Sequence, residues 1–134
     1  MARGLKQGHE LGNHSLNYPC DGTLPGRGFV TQVNNLSRYS VARAVNEIRV
    51  TNTLLKAIDG KSERTFAYPC GDLMIGDTVF YNLLKNDFIA ARGVVPGYPQ
   101  IKDIDLSNVN AFSQNNSTVA QMKFQVEEAE KPGH

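Results

Sequence analysis

The stretch GHELGNHSLNYPC, residues 8–20, determines how the rest of the sequence is interpreted. Its first half is polar and contains two glycines, which predicts a short strand that runs into a turn. His14 lies in that turn, and Tyr18 follows four residues later. Imidazole is a common zinc ligand, so a second histidine at position 18 would make the stretch a strong metal-binding signal. The tyrosine found there leaves open whether the stretch still binds a metal.

Outside this stretch, short β-type runs alternate with helical patterns. We predict helices at 40–60, at 76–86 and from 117 or 118 toward 131, and short strands at 64–68, 88–92 and 109–112. Ser40 and Gly60 are the expected caps of the first helix. The apolar positions predicted to be buried in the three helices are Val41, Ala44, Val45, Ile48, Leu55 and Ile58; Val79, Phe80, Leu83 and Leu84; and Val119, Met122 and Val126.

This alternation predicts an α/β protein with a parallel sheet, in a single domain over residues 1–134. In such proteins, functional residues lie on the loops at the carboxyl ends of the strands. The loop with His14 and the loop at 68–71 both occupy such positions, so we expect them to face each other. The few short strands would leave exposed sheet edges, which could pair with a second copy in a homo-oligomer.

Composition excludes several function classes. Of the 134 residues, 40% are hydrophobic and 20% charged, which is typical of a globular domain. The net charge is +1, the charges are interspersed and there is no Trp, so nothing favours nucleic acid binding. No apolar run approaches the roughly 18 residues that a membrane span requires.

The motifs at 8–15 and 64–71 resemble those of a known family. Residues 8–15, followed by Pro19, are similar to the second conserved motif of the polysaccharide deacetylases, also known as the NodB homology group or carbohydrate esterase family 4. Residues 64–71, RTFAYPCG, resemble the third motif, and residues 88–93 resemble the strand that follows it. The similarity covers about residues 6–113, the central part of such a domain.

The resemblance implies a partial or distorted (β/α) barrel and a metal-dependent hydrolase that removes N-acetyl or O-acetyl groups from glycans. In that family one aspartate and two histidines hold a divalent metal, usually zinc, which polarises the acetyl carbonyl and binds the attacking water. A second aspartate acts as general base and a late histidine as general acid. A backbone N–H of the third motif stabilises the oxyanion. The implied partner is a chitin-like or peptidoglycan-like glycan, and the implied location is periplasmic or extracellular.

Carried over to this sequence, the site is partial. His14 matches the first histidine ligand, while Tyr18 occupies the position of the second. Cys70 would supply the oxyanion N–H, a role that needs only the main chain. The segments that would carry the aspartates and the acid histidine have no counterpart, and His134, the only late histidine, does not match. The implied substrate-binding residues are Tyr68, Pro69, Gly71 and Arg92.

The cysteines have several interpretations. Cys20 and Cys70 are most simply two small, buried, inert thiols. With His14 they would form a ligand set that zinc accepts. A disulfide between them would require Cα atoms within about 7 Å, which the sequence does not decide.

Charged residues near the motifs have structural explanations that compete with functional ones. We expect His9 and Glu10 to shape the first strand and its turn. The arginines at 64 and 92 could contact a sugar or a carboxylate, but such residues more often pair with acids at strand ends. Capping of the helix predicted at 76 is sufficient to explain Asp72 or Asp77.

These observations lead to one main hypothesis and two alternatives. The chain is expected to be a truncated or degenerate polysaccharide deacetylase domain with little or no activity of its own, because base, acid and two of three metal ligands are missing. It could instead be a carbohydrate-binding module that needs no metal. It could also complete its sheet by oligomerisation.

Overall fold

The computed structural model describes residues 2–131. Within that range the helices are α1 (Ala2–Lys6), α2 (Val41–Asp59) and α3 (Val119–Ala129). The strands are β1 (Thr65–Ala67), β2 (Met74–Ile75), β3 (Thr78–Val79) and β4 (Ala90–Arg92). Short 3₁₀ turns lie at Leu36–Arg38, Pro69–Gly71, Phe80–Leu83 and Ile101–Asp103. No helix of the described residues is both long and apolar enough to span a bilayer.

The sheet is parallel and follows chain order. β1 pairs with β4, with Thr65 opposite Ala90 and Ala67 opposite Arg92. Single parallel bridges extend this pair on both sides, from Asn13 to β1 and from Val109 to β4. The predicted α/β class and parallel pairing are therefore confirmed. Residues 2–131 form only a short parallel arc, however, and do not close into the barrel that the resemblance implies.

Helix α2 packs its first half on the sheet. Ser40 accepts a hydrogen bond from the Arg43 N–H at its start, and Gly60 ends it with φ 73°, which confirms both predicted caps. The helix buries Ala44, Val45, Ile48 and Thr51. The prediction was wrong for Ile58, which is 50% exposed. The 19-residue helix is about 28 Å long, whereas a three-residue strand spans about 10 Å, so the last turns of α2 extend beyond the sheet.

An aromatic cluster fills the space between α2 and the sheet. Phe66 of β1 contacts the rings of Tyr68, Tyr81 and Phe88 at centroid distances of 5.2–6.4 Å. Tyr68 is 2% exposed, and its hydroxyl donates a 2.8 Å hydrogen bond to the Ser107 carbonyl. Burial raises the pKa of the Tyr68 phenol. The cluster joins β1 to the segment after it, which fixes the loop at 68–71 at the end of the sheet.

The predicted helix at 76–86 is wrong. Gly76, with φ 55°, lies in the tight turn between the antiparallel strands β2 and β3, and a 3₁₀ turn follows at Phe80–Leu83. The Gly76-Asp77 pair favours a two-residue hairpin turn over helix continuation. Among the predicted core positions, Phe80 and Leu84 are buried whereas Val79 and Leu83 are exposed. With no helix beginning there, the predicted capping by Asp72 or Asp77 is also wrong.

Helix α3 lies where the sequence predicts a helix, but the prediction that its apolar face is buried was wrong. Thr118 and Gln121 form a reciprocal capping box at its start. Val119, Met122 and Val126, which we predicted to be buried, are 78%, 38% and 57% exposed. The periodic pattern predicts the helix, but it does not show what covers its apolar face.

A buried ion pair joins the end of α2 to the start of β1. Arg64 donates hydrogen bonds to the Asp59 carboxylate at 2.5 and 3.0 Å and to the Leu11 carbonyl at 2.7 Å. Both side chains are almost fully buried, at 1% and 3% exposure. The expectation that Arg64 pairs with an acid is confirmed. These hydrogen bonds lower the pKa of Asp59 to about 2.

We predict that Asp59→Asn destabilises the protein at neutral pH and that the difference narrows in acid. The Asp59 carboxylate stabilises the fold above its unfolded pKa of about 4, and this contribution is lost as the pH falls toward its folded pKa of about 2. The measurement is thermal unfolding of both proteins between these two pH values. Asp87→Asn, which breaks the more exposed pair with Arg49, is the control. A gap between Asp59→Asn and the parent that does not change with pH would contradict the prediction.

Candidate functional site

A cleft opens on the face of the sheet opposite α2. Residues alternate along β1 and β4, so that Phe66 and Ala91 point into the core while their neighbours line the cleft. The cleft has a volume of about 490 Å³. The side chains on its walls are mostly small and belong to Thr65, Ala67 and Ala90. The imidazole of His14 and the guanidinium of Arg92 lie at its rim.

His14 is held in one orientation at the edge of this cleft. Its Nδ1 lies 2.7 Å from the Ala67 carbonyl oxygen. A carbonyl can only accept, so Nδ1 carries the proton and Nε2 keeps its lone pair in the neutral ring. Tyr18 packs edge-on against the imidazole, with ring centroids 5.0 Å apart. Tyr18, four residues further along the chain, therefore contacts His14 directly.

The turn that carries these two rings has unusual backbone geometry. Ser15 and Tyr18 have φ values of 61° and 51°, in the left-handed region that residues other than glycine seldom adopt. Glu47 of α2 stabilises the turn by accepting hydrogen bonds from the Ser15 hydroxyl at 2.7 Å, the Asn17 N–H at 2.9 Å and the Tyr39 hydroxyl at 3.0 Å. Burial alone would raise the pKa of Glu47, but the hydrogen bonds from Ser15 and Asn17 lower it.

Asn13 joins the same turn to the sheet and the helix. Its N–H donates to the Thr65 carbonyl and its carbonyl accepts from the Ala67 N–H, each at 2.9 Å. Its side-chain amide donates to the Ile48 carbonyl at 2.9 Å and to the Asn52 side chain at 2.7 Å. The residue is 1% exposed. The sequence does not predict the supporting roles of Asn13 and Glu47, because both depend on contacts with residues more than 30 positions away.

The two cysteines form a disulfide that links the two motif loops. The Cα atoms of Cys20 and Cys70 are 5.7 Å apart and the sulfurs are bonded. The interpretation as inert thiols is therefore wrong, and so is the zinc set with His14, because a bonded sulfur is not a thiolate. Cys70 itself is left-handed, with φ 57°, at the second residue of the 3₁₀ turn Pro69–Gly71. The first N–H groups of a helical turn have no acceptor within it, so this N–H is available to another group.

The other predicted site residues occupy different environments. Tyr68 and Pro69 belong to the buried core, so their side chains do not line the cleft. Gly71 adopts φ 75° beside Cys70. Arg92 is exposed at the cleft rim, where it donates to the Gly93 carbonyl at 3.3 Å. Glu10 accepts a 2.6 Å hydrogen bond from the Thr65 N–H, consistent with a role in shaping the strand. His134 lies outside the described residues.

The described residues do not fit a catalytic zinc site. Within residues 2–131, the one cluster of three metal-capable groups is Cys20, Cys70 and Asp72, and its sulfurs are bonded to each other. His14 has a phenol for its nearest ring neighbour, and a phenol binds well only when ionised. Catalytic zinc takes three protein ligands. His14 therefore contributes one donor without the others.

Comparison with known proteins points to one family. The family model described as polysaccharide deacetylase matches residues 1–88, about two thirds of the 134-residue chain. The matched range includes both motif loops, α2 and β1 through β3. No curated protein and no solved structure matches the chain.

We predict that Glu47→Gln loosens the His14 turn. A neutral amide replaces one acceptor oxygen by an NH₂ group that faces donors, which should lower the free energy of unfolding by about 1–2 kcal/mol. The difference should shrink below about pH 4.5, the ordinary pKa of this carboxyl, because its folded pKa is lowered. Denaturant unfolding at several pH values provides the measurement. Glu127→Gln, on the exposed surface of α3, is the control; equal stability of both variants would contradict the role given to Glu47.

Proposed function

Because the chain belongs to the polysaccharide deacetylase family, we propose that its cleft accommodates an acetyl group of a glycan. The acetyl carbonyl oxygen would face the Cys70 N–H, and the sugar would extend toward Arg92 at the rim. The natural reaction is hydrolysis of an N-acetyl or O-acetyl group. This 134-residue chain is proposed to bind the glycan but to hydrolyse it little or not at all.

One observation carries the proposal, namely the hydrogen bond from His14 Nδ1 to the Ala67 carbonyl. Histidines that bind metals donate their other ring N–H to a carbonyl or carboxylate, which fixes the tautomer. Only Tyr68 separates Ala67 from the turn that carries Cys70. The same contact therefore orients the imidazole and joins it to the turn proposed to receive the oxyanion.

The proposed substrate contacts come from Ala67, Ala90 and Arg92, which line the cleft, and from the turn with Cys70 that follows β1. Ala67 and Ala90 offer small apolar surfaces against which an acetyl methyl can pack. A backbone N–H is a sufficient donor for a carbonyl oxygen, so the disulfide at the Cys70 side chain does not remove that contact. Arg92 presents a planar set of donors to hydroxyl or carboxylate oxygens of a sugar.

The impaired hydrolysis follows from the donor set. A divalent metal supplies carbonyl polarisation and an activated water in this family, and His14 with Tyr18 does not complete its ligand set. The phenol of Tyr18 is a weaker metal donor than the imidazole that zinc commonly takes as a ligand. No described side chain at His14 supplies the carboxylate that the family uses as general base.

We predict no acetate release by this chain from chito-oligosaccharides or N-acetylated peptidoglycan fragments, with or without added zinc or cobalt. The missing ligands leave water unactivated, so the rate should equal that of His14→Ala and of buffer. The measurement is enzyme-coupled detection of acetate over many hours. Turnover that depends on the added metal and disappears in His14→Ala would contradict the prediction.

Glycan binding that requires no metal at all is the second candidate, favoured by the combination of an ordered cleft and an incomplete donor set. Binding of the N-acetylglucosamine trimer that persists in excess chelator would support it. Binding that appears only with added zinc would instead support a metal-dependent site. Either result is read from chemical shifts at the cleft, independently of turnover.

A further inference from the structure

The turn that carries Cys70 combines two left-handed residues in succession. Cys70 has φ 57° and Gly71 has φ 75°. Glycine adopts this region without penalty, but a residue with a Cβ does not. Pro69 precedes them and has no N–H with which to hold the turn. The turn has its own hydrogen bonds from the Gly71 and Asp72 N–H groups to the Tyr68 and Pro69 carbonyls, and contacts from outside it add to these in keeping Cys70 in this conformation.

Arg27 provides two of these contacts with one side chain. Its Nη2 donates to the Cys70 carbonyl at 3.3 Å and to Asp72 Oδ1 at 2.9 Å, while its Nη1 donates to Asp72 Oδ2 at 3.3 Å. The side chains are only 16% and 10% exposed, so the pair is largely protected from water. A planar guanidinium in this bidentate arrangement fixes direction as well as charge. It therefore restrains the peptide on the carboxyl side of Cys70.

Cys20 and its neighbour Asp21 provide the remaining contacts. The Cys20–Cys70 disulfide holds the Cys70 side chain, and the Asp21 N–H donates to Asp72 Oδ2 at 2.7 Å. Cys20 is itself fixed, because its N–H donates to the Asn34 carbonyl and its carbonyl accepts from the Leu36 N–H. The turn is thus held at its side chain, at its carbonyl and at the carboxylate that follows it. These contacts do not use the Cys70 N–H.

We infer that Arg27 and Asp72 are positioning residues for the Cys70 N–H, acting together with the Cys20–Cys70 disulfide. The claim that this N–H binds an acetyl carbonyl oxygen rests on the proposed function, whereas the restraint on the turn does not. Arg27 lies in the Gly/Pro-rich loop at 21–29, and Asp72 has no helix to cap, so this pairing accounts for both. Because one restraint is a disulfide, the orientation of the N–H depends on oxidising conditions.

The test is NMR of the ¹⁵N-labelled oxidised chain. Amide exchange is measured at Asp21, Gly71 and Asp72, whose N–H groups donate within this network. The Cys70 amide shift is followed during titration with the N-acetylglucosamine trimer. Arg27→Gln removes the bidentate guanidinium contact with Asp72. The matched control is Arg49→Gln, which removes an ion pair with Asp87 elsewhere on the protein.

In Arg27→Gln we expect exchange at Gly71 and Asp72 to accelerate about tenfold or more, because the turn opens locally. The trimer-induced shift of the Cys70 amide should be lost in the same variant. Arg49→Gln should change neither. Reduction of the parent disulfide, which requires no substitution, should also accelerate exchange at Gly71.

Exchange and Cys70 shifts in Arg27→Gln that match those of Arg49→Gln would overturn the inference, as would a turn unaffected by reduction. If exchange accelerates as expected but the trimer never shifts the Cys70 amide even in the parent, the turn is positioned as inferred and the proposed oxyanion role fails. The exchange measurement and the titration therefore separate the two claims.

Discussion

The site depends on the way Asn13 is held between the sheet and α2. A buried amide must satisfy its donors and acceptor, and burying it without partners would cost several kcal/mol. Asn13 meets this requirement with the Ile48 carbonyl and the Asn52 side chain on one side and the Ser15 N–H on the other. Its backbone simultaneously pairs with β1. One residue thus fixes the position of the first strand segment, the helix and the turn relative to one another.

The orientation of the functional groups follows from this junction. Ala67 donates its N–H to the Asn13 carbonyl and accepts from His14 with its own carbonyl. The next residues form the turn with Cys70, which the disulfide and Arg27 connect back to the segment after His14. The loop at 13–20 is therefore joined to the end of β1 through His14 and to the loop at 69–72 through Cys20. This double connection explains how a short parallel arc can keep an ordered cleft.

The sequence predicted the features that depend on local chemistry. Ser40 and Gly60 cap α2 because a side-chain acceptor and a left-handed residue are needed at those positions, and Thr118 caps α3 for the same reason. The glycine-rich motif at 8–15 correctly indicated the family, which the family match confirms over residues 1–88. The parallel pairing of β1 and β4 followed from the alternation of strands and helices.

Features set by distant contacts were not predictable. The disulfide joins residues 50 positions apart, and Glu47 reaches a turn some 30 residues earlier. The segment at 76–86 has an apolar pattern compatible with a helix, but the hairpin turn at Gly76 and the burial of Phe80 and Tyr81 produce a different structure. The exposed face of α3 shows the same limit, because periodicity indicates a face and not its partner.

The most direct test of the role of Asn13 is to measure two quantities in Asn13→Ala. These are the ring tautomer of His14, read from its ¹⁵N chemical shifts, and the free energy of unfolding. Loss of the buried amide should lower the free energy of unfolding by about 2–3 kcal/mol, and His14 should no longer be held as the Nδ1–H tautomer. Asn46→Ala, on the exposed side of α2, should change neither quantity. An Asn13→Ala protein that keeps the parent's His14 spectrum and stability would contradict the account.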